Sequence, residues 1–285
     1  MITALLLLQV AVPAPRWSRP PVALAARTLT ESSALVRSIA HPGVLWTLND
    51  SDNPSELFAT DTGGRALGRV TVVGARNVDW EALADGPCPA RAADAPLCLY
   101  IGDIGDNNRA RPFVTLYRVA EPRPGRDATV PVIDSLRAVY PDGARDAESM
   151  VVDGARNVWI VSKELLRAPR LYRIDADAWS ARRPATMRFV DSLPIPSGAG
   201  IEHWTTDATW IGRGDTLAVR TYGELWIVPF RDGLPVTSAT RPLCRLDGLG
   251  PQGEGVAWLG GDLFALSSEK LFRSPASVAL VRCGG

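Results

Sequence analysis

Short apolar runs, separated by turn residues, recur along most of the chain. The segments 44–49, 97–102 and 157–162 are examples, and Val, Ile, Trp, Tyr and Thr dominate them. These residue types favour strands, and the 23 Pro and 25 Gly lie mostly between the runs, where strands must end. A helical period of 3.6 residues never persists for three turns. The pattern therefore predicts an all-β protein.

The runs are organised as a repeat. Each copy starts with a small or acidic cluster, continues through one apolar strand and a Gly, Asp or Asn turn, and then gives two further strands. Five copies begin near Glu31, Asp79, Asp146, Thr206 and Gly253. A repeat of this length is typical of proteins in which each unit buries its apolar surface against its neighbours.

Radial repetition of four-stranded antiparallel sheets gives a β-propeller. We predict five blades, and the longer gaps between copies leave room for a sixth. Two ways of sealing the ring are open: a disulfide between Cys244 and Cys283, or the N-terminal segment completing the last sheet. A β-sandwich is the alternative fold, although sandwiches do not usually repeat a motif in sequence.

The N-terminus carries an apolar run of about a dozen residues, too short to span a bilayer as a helix. Four prolines follow between residues 13 and 21. The pattern predicts an exported leader over residues 1–26, with small-residue cleavage sites near Ala14 or Ala26, and a single propeller domain over 27–285. A buried first strand is the alternative. We expect a secreted or periplasmic protein with no transmembrane segment in the mature chain.

Four cysteines are an even number, which in an exported chain favours disulfides. Cys88 and Cys98 bracket one loop, so a local bridge is the natural pairing and leaves Cys244 for Cys283. Zinc is the competing interpretation, but the chain has no Cys-x-x-Cys spacing and only two histidines.

Charge excludes one class of partner. Lys plus Arg and Asp plus Glu are both 31, so the formal net charge is zero. A nucleic-acid-binding protein would normally show a basic excess or a basic stripe. We therefore expect no nucleic acid partner, and we expect a monomer that binds a small molecule or a protein.

Acidic residues recur where each copy starts, and these positions of a propeller lie at one mouth of the central channel. Converging carboxylates repel one another unless a cation compensates them, and Ca²⁺ accepts many oxygen ligands in loose geometry. The sequence thus predicts metal ligands at Asp79, Glu81, Asp103, Asp146, Glu148 and Glu254. The alternative is that these acids bind backbone amides and serve the fold.

Polar residues at the ends of the second strands should reach the same face. These candidates for ligand binding are Asn49, Asp50, Asp106, Asn107, Lys163, Glu164, Glu202, Arg220 and Glu269. Turn capping is the favoured interpretation for four acids, Asp50, Asp52, Asp61 and Asp153.

No residue set indicates nucleophilic catalysis. The chain lacks Gly-x-Ser-x-Gly, which argues against a hydrolase triad. His41 lies in a His-Pro-Gly turn, and His203 follows Glu202 and could act as a base. The sequence therefore assigns no catalytic residue.

Several motifs carry a resemblance to a known group. The segments 43–51, 77–81, 100–107, 140–148 and 251–255 resemble uncharacterised exported bacterial β-propeller proteins, which are distantly similar to the phytase-like and SdiA-regulated propellers. The resemblance covers roughly residues 30 to 275. Phytase-like propellers imply Ca²⁺ in the channel and phosphomonoester hydrolysis, and the acids that would carry this over are Asp79, Glu81, Asp103, Asp146, Glu148 and Glu254.

Two functional hypotheses follow. In the first, the protein is an exported propeller that binds a small ligand or a partner at an acidic, calcium-holding channel without catalysis. In the second, it is a Ca²⁺-dependent phosphoesterase. Lys163 or Arg220 beside a metal with an open coordination position would favour the second.

Overall fold

The computed structural model describes residues 12–90, 97–180, 183–198, 200–212, 214–246 and 252–284. Within these ranges the chain is all-β, with three short 3-10 helices as the only helical segments. None of these helices has the length and apolar character needed to cross a bilayer. Five mainly antiparallel sheets form a β-propeller, which confirms the predicted five blades; the described residues form neither a sixth blade nor a two-sheet sandwich.

Each blade consists of four strands, which are named below from the innermost to the outermost. Blade 1 consists of β2 (Ser32–Arg37), β3 (Val44–Asn49), β4 (Glu56–Asp61) and β5 (Ala66–Val73). Blade 2 consists of β6 (Trp80–Pro87), β7 (Leu97–Asp103), β8 (Val114–Ala120) and β10 (Asp134–Val139). Blade 3 consists of β11 (Ala147–Val152), β12 (Val158–Ser162), β13 (Arg170–Ile174) and β15 (Arg188–Ser192).

The last two blades follow the same plan. Blade 4 consists of β16 (Thr205–Ile211), β17 (Thr216–Thr221), β18 (Glu224–Arg231) and β20 (Arg241–Arg245), with β19 (Leu234–Pro235) beside β18. Blade 5 consists of β21 (Gly253–Gly260), β22 (Leu263–Ser268), β23 (Ser277–Arg282) and β1 (Arg16–Ala23). The 3-10 helices are Ala176–Ser180, Ile201–His203 and Thr237–Ala239.

The hydrophobic core is divided among the five interfaces between neighbouring blades. Trp46 of blade 1 and Leu99 of blade 2 belong to one cluster, and a separate cluster of the same kind lies at each of the other four interfaces. The second strands of the blades are thus buried on both faces: in β3, Leu45 faces blade 5 and Trp46 faces blade 2. This explains why the sequence shows continuous apolar runs rather than strict alternation.

The ring is closed in both of the ways that the sequence left open. Strand β1 pairs antiparallel with β23 as the outermost strand of blade 5, and the Cys244–Cys283 disulfide joins β20 of blade 4 to the end of β23. The Cys88–Cys98 disulfide lies within blade 2. Both predicted pairings are confirmed, and the described part of the chain contains no free cysteine.

The predicted leader overlaps this closing strand. Residues 1–11 lie outside the described residues, and β1 is mostly exposed rather than buried. A cleavage near Ala14 would keep β1 in the mature protein, whereas a cleavage near Ala26 would remove it. The leader itself stays a prediction.

Two short strands lock neighbouring blades at their outer edges. Strand β9 (Ala128–Pro131) lies between β8 and β10 in the chain, but it pairs in parallel with β5 of blade 1. Strand β14 (Ala185–Thr186) of the blade 3 segment likewise pairs with β10 of blade 2. These pairings cover sheet edges that would otherwise be open to other chains.

Candidate functional site

All five innermost strands carry a register shift at the same place, one residue after their start. The shifts fall between Ser32 and Ala34, Trp80 and Ala82, Ala147 and Ser149, Thr205 and Asp207, and Gly253 and Val256. Such a bulge leaves a residue unpaired and redirects its side chain. We call the five residues at this position the bulge ring: Ser33, Glu81, Glu148, Thr206 and Glu254.

The bulge-ring side chains converge on one mouth of the channel. The Ser33 hydroxyl donates a hydrogen bond of 2.6 Å to the Glu81 carboxylate across the interface of blades 1 and 2. The Thr206 hydroxyl donates to the backbone carbonyl of Glu254, at 2.9 Å, across the interface of blades 4 and 5. Glu81, Glu148 and Glu254, the acids predicted from the repeat, are each no more than 5% exposed.

Three carboxylates form a cluster on the side of blades 1 and 2. Oxygens of Asp50, Asp79 and Glu81 lie within 4.8 Å of one another, close enough to share one cation. Asp50 follows β3, and Asp79 and Glu81 flank the start of β6. We call these three residues the acid cluster. Asp50, for which turn capping was one interpretation, therefore also belongs to this cluster.

A glycine allows the loop after β7 to cover the acid cluster. A Cβ atom added to Gly105 would lie 2.5 Å from the Asp79 carboxyl carbon and 2.8 Å from Glu81 Cγ. No larger residue fits there without displacing the carboxylates. The Gly-rich turn that the sequence shows at 102–108 is thus needed for close approach to the acids.

Two residues of the acid cluster, Asp79 and Glu81, have strongly raised pKa values. Burial, together with the charges of Asp50 and Asp146, raises the pKa of Asp79 to about 7. Burial and the charges of Glu148 and Asp50 hold the pKa of Glu81 well above its usual range, although the Ser33 hydrogen bond opposes this. The Arg111 charge offsets the shift of Asp79 only in part, and a bound cation would supply further compensation.

The acids of blades 3 and 5 have partners from the protein itself. Glu148 forms a buried ion pair and a short hydrogen bond with Lys163, and the Tyr222 hydroxyl donates to Glu254 at 2.7 Å. One carboxylate oxygen of Glu148, Oε2, is buried without a hydrogen-bond partner among the described residues. The Lys163 ammonium also lies 5.7 Å from the ring centroid of Trp204 and 5.8 Å from that of Tyr222.

Glu269 lies between the two sets of acids. It follows β22 and is half-buried. Burial and the charges of Glu254 and Asp50 raise the pKa of Glu269 to about 8. Glu269 therefore changes its protonation state near neutral pH.

The other predicted metal ligands are engaged by the protein. Asp103 accepts hydrogen bonds from Arg111 at 2.8 Å and from the amide of Asp79 at 3.1 Å. Asp146 accepts from the amide of Asp106 at 2.9 Å. Both acids thus hold the loops that present the acid cluster, while their electrostatic fields still reach the mouth.

Several of the predicted ligand-binding residues also make structural contacts. Asn49 binds the backbone at residues 28, 30 and 31, and Glu164 pairs with Arg145 at 3.1 Å. Arg220 is 1% exposed and donates to the carbonyls of Gly255 and Ser267, and burial lowers its pKa to about 10. Asn107 and Glu202 are exposed.

Asp106 caps the turn after β7. Its carboxylate accepts hydrogen bonds from the amides of Ala110 and Arg111, both at 2.9 Å. Capping of this kind was also the interpretation for Asp61 and Asp153, and both accept backbone hydrogen bonds in their turns. Asp52 has a positive φ of 60°, which Asp tolerates in turns.

Below the bulge ring, Asp207 reaches across the channel. Its carboxylate accepts hydrogen bonds from the amides of Val256 in blade 5, at 2.7 Å, and of Leu35 in blade 1, at 3.2 Å. Burial raises the pKa of Asp207 well above its usual range, although these hydrogen bonds oppose the shift. Asp207 therefore ties three innermost strands together beneath the acidic mouth.

Sequence reasoning missed two participants and left a third open. Ser33 and Thr206 occupy the same bulge position as the three glutamates, but a single Ser or Thr gives no chemical signal. The sequence alone leaves Tyr222 equally compatible with a position facing the channel and with packing. The only sequence signal for Ser33 and Thr206 is their position, which matches that of the glutamates when the five strand starts are aligned.

The fold and mouth define a five-bladed β-propeller with an acidic channel. A scan against protein-family models and a search of curated proteins find no match. Among solved structures, the chain is similar to the PQQ-bound aldose sugar dehydrogenase of Streptomyces coelicolor, with 13% identity, a TM-score of 0.50, and coverage of 95% of this chain and 100% of that one.

Two further solved structures resemble the chain. The gluconolactonase XC5397 of Xanthomonas campestris shows 13% identity and a TM-score of 0.49, over 96% of this chain and 97% of that one. The allergen Mala s 1 of Malassezia sympodialis shows 10% identity and a TM-score of 0.51, over 92% and 95%. For the dehydrogenase and the allergen, whose TM-scores reach 0.50, the likeness at such identities shows the fold alone.

Proposed function

We propose that this protein is an exported propeller that binds a small, oxygen-bearing ligand at a calcium ion held by Asp50, Asp79 and Glu81. The observation that carries the proposal is the approach of these three carboxylates to within 4.8 Å of one another. A cation would offset the repulsion among the three and bring the pKa values of Asp79 and Glu81 down, so binding would compensate the cost of burying these two acids.

The donor set favours calcium over transition metals. All three residues offer carboxylate oxygens, and neither His nor Cys takes part. Hard cations prefer such oxygens, and Ca²⁺ tolerates irregular geometry and water in its shell better than Mg²⁺ does. The buried Glu148 Oε2, which has no hydrogen-bond partner among the described residues, offers a further acceptor in the same mouth.

Lys163 gives the mouth a positive group beside the proposed ion. Burial works against its charge, but Glu148 and Glu254 outweigh burial and raise the pKa of Lys163 above its usual range. An ammonium beside a calcium ion would favour a ligand with a carbonyl, carboxylate or phosphoryl oxygen.

The alternative of calcium-dependent phosphoester hydrolysis has less support. It requires several basic groups around a phosphate, yet Arg220 is buried on backbone carbonyls, which leaves Lys163 as a single ammonium whose charge Glu148 already shares. We therefore place ligand binding first. The two disulfides fit an oxidising compartment, so we also propose that the protein works outside the cytosol.

A calcium titration of thermal stability tests the proposal. Saturating calcium should raise the melting temperature of the wild type by about 5 to 10 °C, since a ligand at a hundred times its Kd adds about 2.7 kcal/mol. Glu81→Gln should abolish the shift. Glu254→Gln is the matched control, because Glu254 is bonded to Tyr222, and it should keep most of the shift.

An unchanged wild-type melting temperature in calcium would refute the metal proposal. A parallel assay with p-nitrophenyl phosphate addresses catalysis. Calcium-dependent turnover that Glu81→Gln abolishes would replace ligand binding with the phosphoesterase hypothesis, and no turnover would support binding without catalysis.

A further inference from the structure

A cavity lies at the far end of the channel, opposite the acidic mouth. The innermost strands β2, β6, β11 and β16 start at the acidic mouth, and residues at their far ends line this cavity. We call it the lower cavity, and its volume is about 240 Å³. Pockets for drug-sized ligands span about 300 to 1,000 Å³, so the lower cavity suits a smaller molecule.

Buried side chains fill the channel between the two mouths. Leu35, Leu83 and Met150 line a space of only about 20 Å³ next to the lower cavity. Nearer the acidic mouth, Asp207 ties three innermost strands together. A ligand in the lower cavity would thus bind without contacting the acid cluster, and its binding does not depend on the proposed calcium ion.

Two side chains of opposite charge line the lower cavity without pairing. Asp85 belongs to β6, and Arg37 is the last residue of β2. Within the described ranges, neither charged group makes an ion pair or a hydrogen bond with another residue. Burial raises the pKa of Asp85 to about 6, although its own amide and the Arg37 charge oppose the shift. Asp85 is therefore mostly ionised at neutral pH, and Arg37 acts on it from a distance.

The other acid of the lining, Asp153, is already engaged by the protein. Its carboxylate accepts hydrogen bonds of 2.8 to 3.0 Å from the amides of Ala155 and Asn157, the Asn157 side chain and the Trp159 indole. Asp85 and Arg37 are thus the charged groups of the lining that remain available to a ligand. Both are half-buried, and their polar atoms are open to solvent.

Trp210 forms a rigid apolar wall beside these charges. The indole N–H donates to the carbonyl of Val152 at 3.0 Å, and Phe230 contacts the Trp210 ring edge-on, with centroids 5.0 Å apart. Arg37 is also held in place, since its guanidinium lies 5.1 Å from the ring centroid of Trp258. Groups that are fixed before a ligand arrives reduce the entropy lost on binding. The remaining apolar residues of the lining are Ile39, Pro87, Leu97 and Val152.

We propose that the lower cavity binds a free α-amino acid with an apolar side chain: its ammonium contacts Asp85, its carboxylate contacts Arg37, and its side chain lies against Trp210. A single carbon separates the two charges of such a ligand, so it can bridge two protein charges that do not reach each other. Charge-assisted hydrogen bonds of this kind are stronger than neutral ones. A simple amine or a simple carboxylate would leave one of the two protein charges without a partner.

L-Phenylalanine is a suitable probe, because it joins both charged groups to a flat apolar ring. We expect saturable binding to the full-length protein in calorimetry. 3-Phenylpropionate lacks the ammonium and phenethylamine lacks the carboxylate, so each should bind about ten-fold more weakly, the loss expected for one hydrogen bond between charged groups. L-Alanine, which lacks the ring, should also bind more weakly than L-phenylalanine.

Two variants assign each charge of the ligand to one side chain. Asp85→Asn should weaken L-phenylalanine binding about ten-fold without weakening the binding of 3-phenylpropionate, which has no ammonium to lose. Arg37→Gln should weaken L-phenylalanine binding similarly without weakening that of phenethylamine. Tyr222→Phe changes the acidic mouth alone and should bind L-phenylalanine as the wild type does.

Three results would overturn the proposal. L-Phenylalanine does not bind, or the two single-charge analogues bind as tightly as L-phenylalanine, or each variant weakens all three compounds alike, which would indicate a distorted cavity rather than a lost contact. The calcium dependence of the melting temperature is read separately, so failure here leaves the calcium proposal untouched.

Discussion

The two sides of the channel mouth share one backbone geometry and differ in how their charges are balanced. On the side of blades 3 to 5, Glu148 faces Lys163 and Glu254 faces Tyr222. On the side of blades 1 and 2, Glu81 faces the Ser33 hydroxyl and two further carboxylates. The protein neutralises the acids on one side, and it offsets the charges of the acids on the other side only in part.

The comparison separates what the fold needs from what the site adds. Blades 1 and 4 form the same bulge with Ser33 and Thr206, so the backbone does not require a carboxylate at this position. The glutamates of blades 2, 3 and 5 therefore serve the mouth rather than the bulge. Of these three, Glu81 is the one that joins a group of acids close enough to hold a cation.

Removing the Lys163 ammonium from the neutralised side should have the largest effect on the free energy of unfolding. In Lys163→Met, Glu148 remains buried without its partner, and we expect a loss of about 3 to 5 kcal/mol in the free energy of unfolding. Chemical denaturation measures it. The double variant Lys163→Met, Glu148→Gln should recover most of the loss, because it removes the buried charge.

The recovery distinguishes the Glu148 ion pair from the other contacts of the ammonium. If the double variant is as unstable as Lys163→Met alone, Lys163 acts through contacts such as those with the Trp204 and Tyr222 rings, and its pairing with Glu148 does not set this side of the mouth apart.

The uncompensated side should make stability depend on pH. The pKa of Asp79 is about 7 in the folded protein and about 4 in the unfolded chain. The folded state therefore holds a proton that the unfolded state releases, so stability is highest below about pH 4 and is lost as the pH rises towards 7. With a chelator present, we expect a loss on the order of 2 kcal/mol between about pH 5 and pH 8.

Melting temperatures at about pH 5, 6, 7 and 8 measure this slope. Asp79→Asn should flatten it, and calcium at the highest pH should restore the lost stability to the wild type. The compensated side offers the control: Tyr222→Phe should keep the wild-type slope. A slope that is identical in wild type and Asp79→Asn would assign the pH dependence to other acids, with Glu269 the first to test.

Much of the fold could be predicted because each copy of the repeat corresponds to one blade and is visible within a short stretch of sequence. An apolar run such as Val44–Asn49 has both faces buried between blades, and five such units imply five interfaces. The cysteine pairs were predictable as well, since Cys88 and Cys98 bracket one loop. The start of each copy also marked Glu81, Glu148 and Glu254, because the bulge occurs at one position in every blade.

The partners of these acids could not be predicted, since they come from other segments. Glu254 is bonded to Tyr222, 32 residues away, and Asp207 to the amide of Leu35, 172 residues away. Asp103, at the end of a second strand, was predicted as a metal ligand together with Glu81, yet Arg111 binds it. The sequence identifies the acids. Only the folded ring shows which of them accept a hydrogen bond or an ion pair from a distant segment.

The smallest expected loss of stability comes from removing the hydrogen bond between Tyr222 and Glu254 on the neutralised side. Tyr222→Phe removes the 2.7 Å bond to Glu254, and we expect a loss of about 1 to 2 kcal/mol, typical of a hydrogen bond to a charged group. The calcium midpoint should stay within about two-fold of the wild type, because Tyr222 is not part of the acid cluster. If Tyr222→Phe shifts the calcium midpoint by clearly more than about two-fold, Glu254 is a ligand of the ion. The cation site then extends across both sides of the mouth.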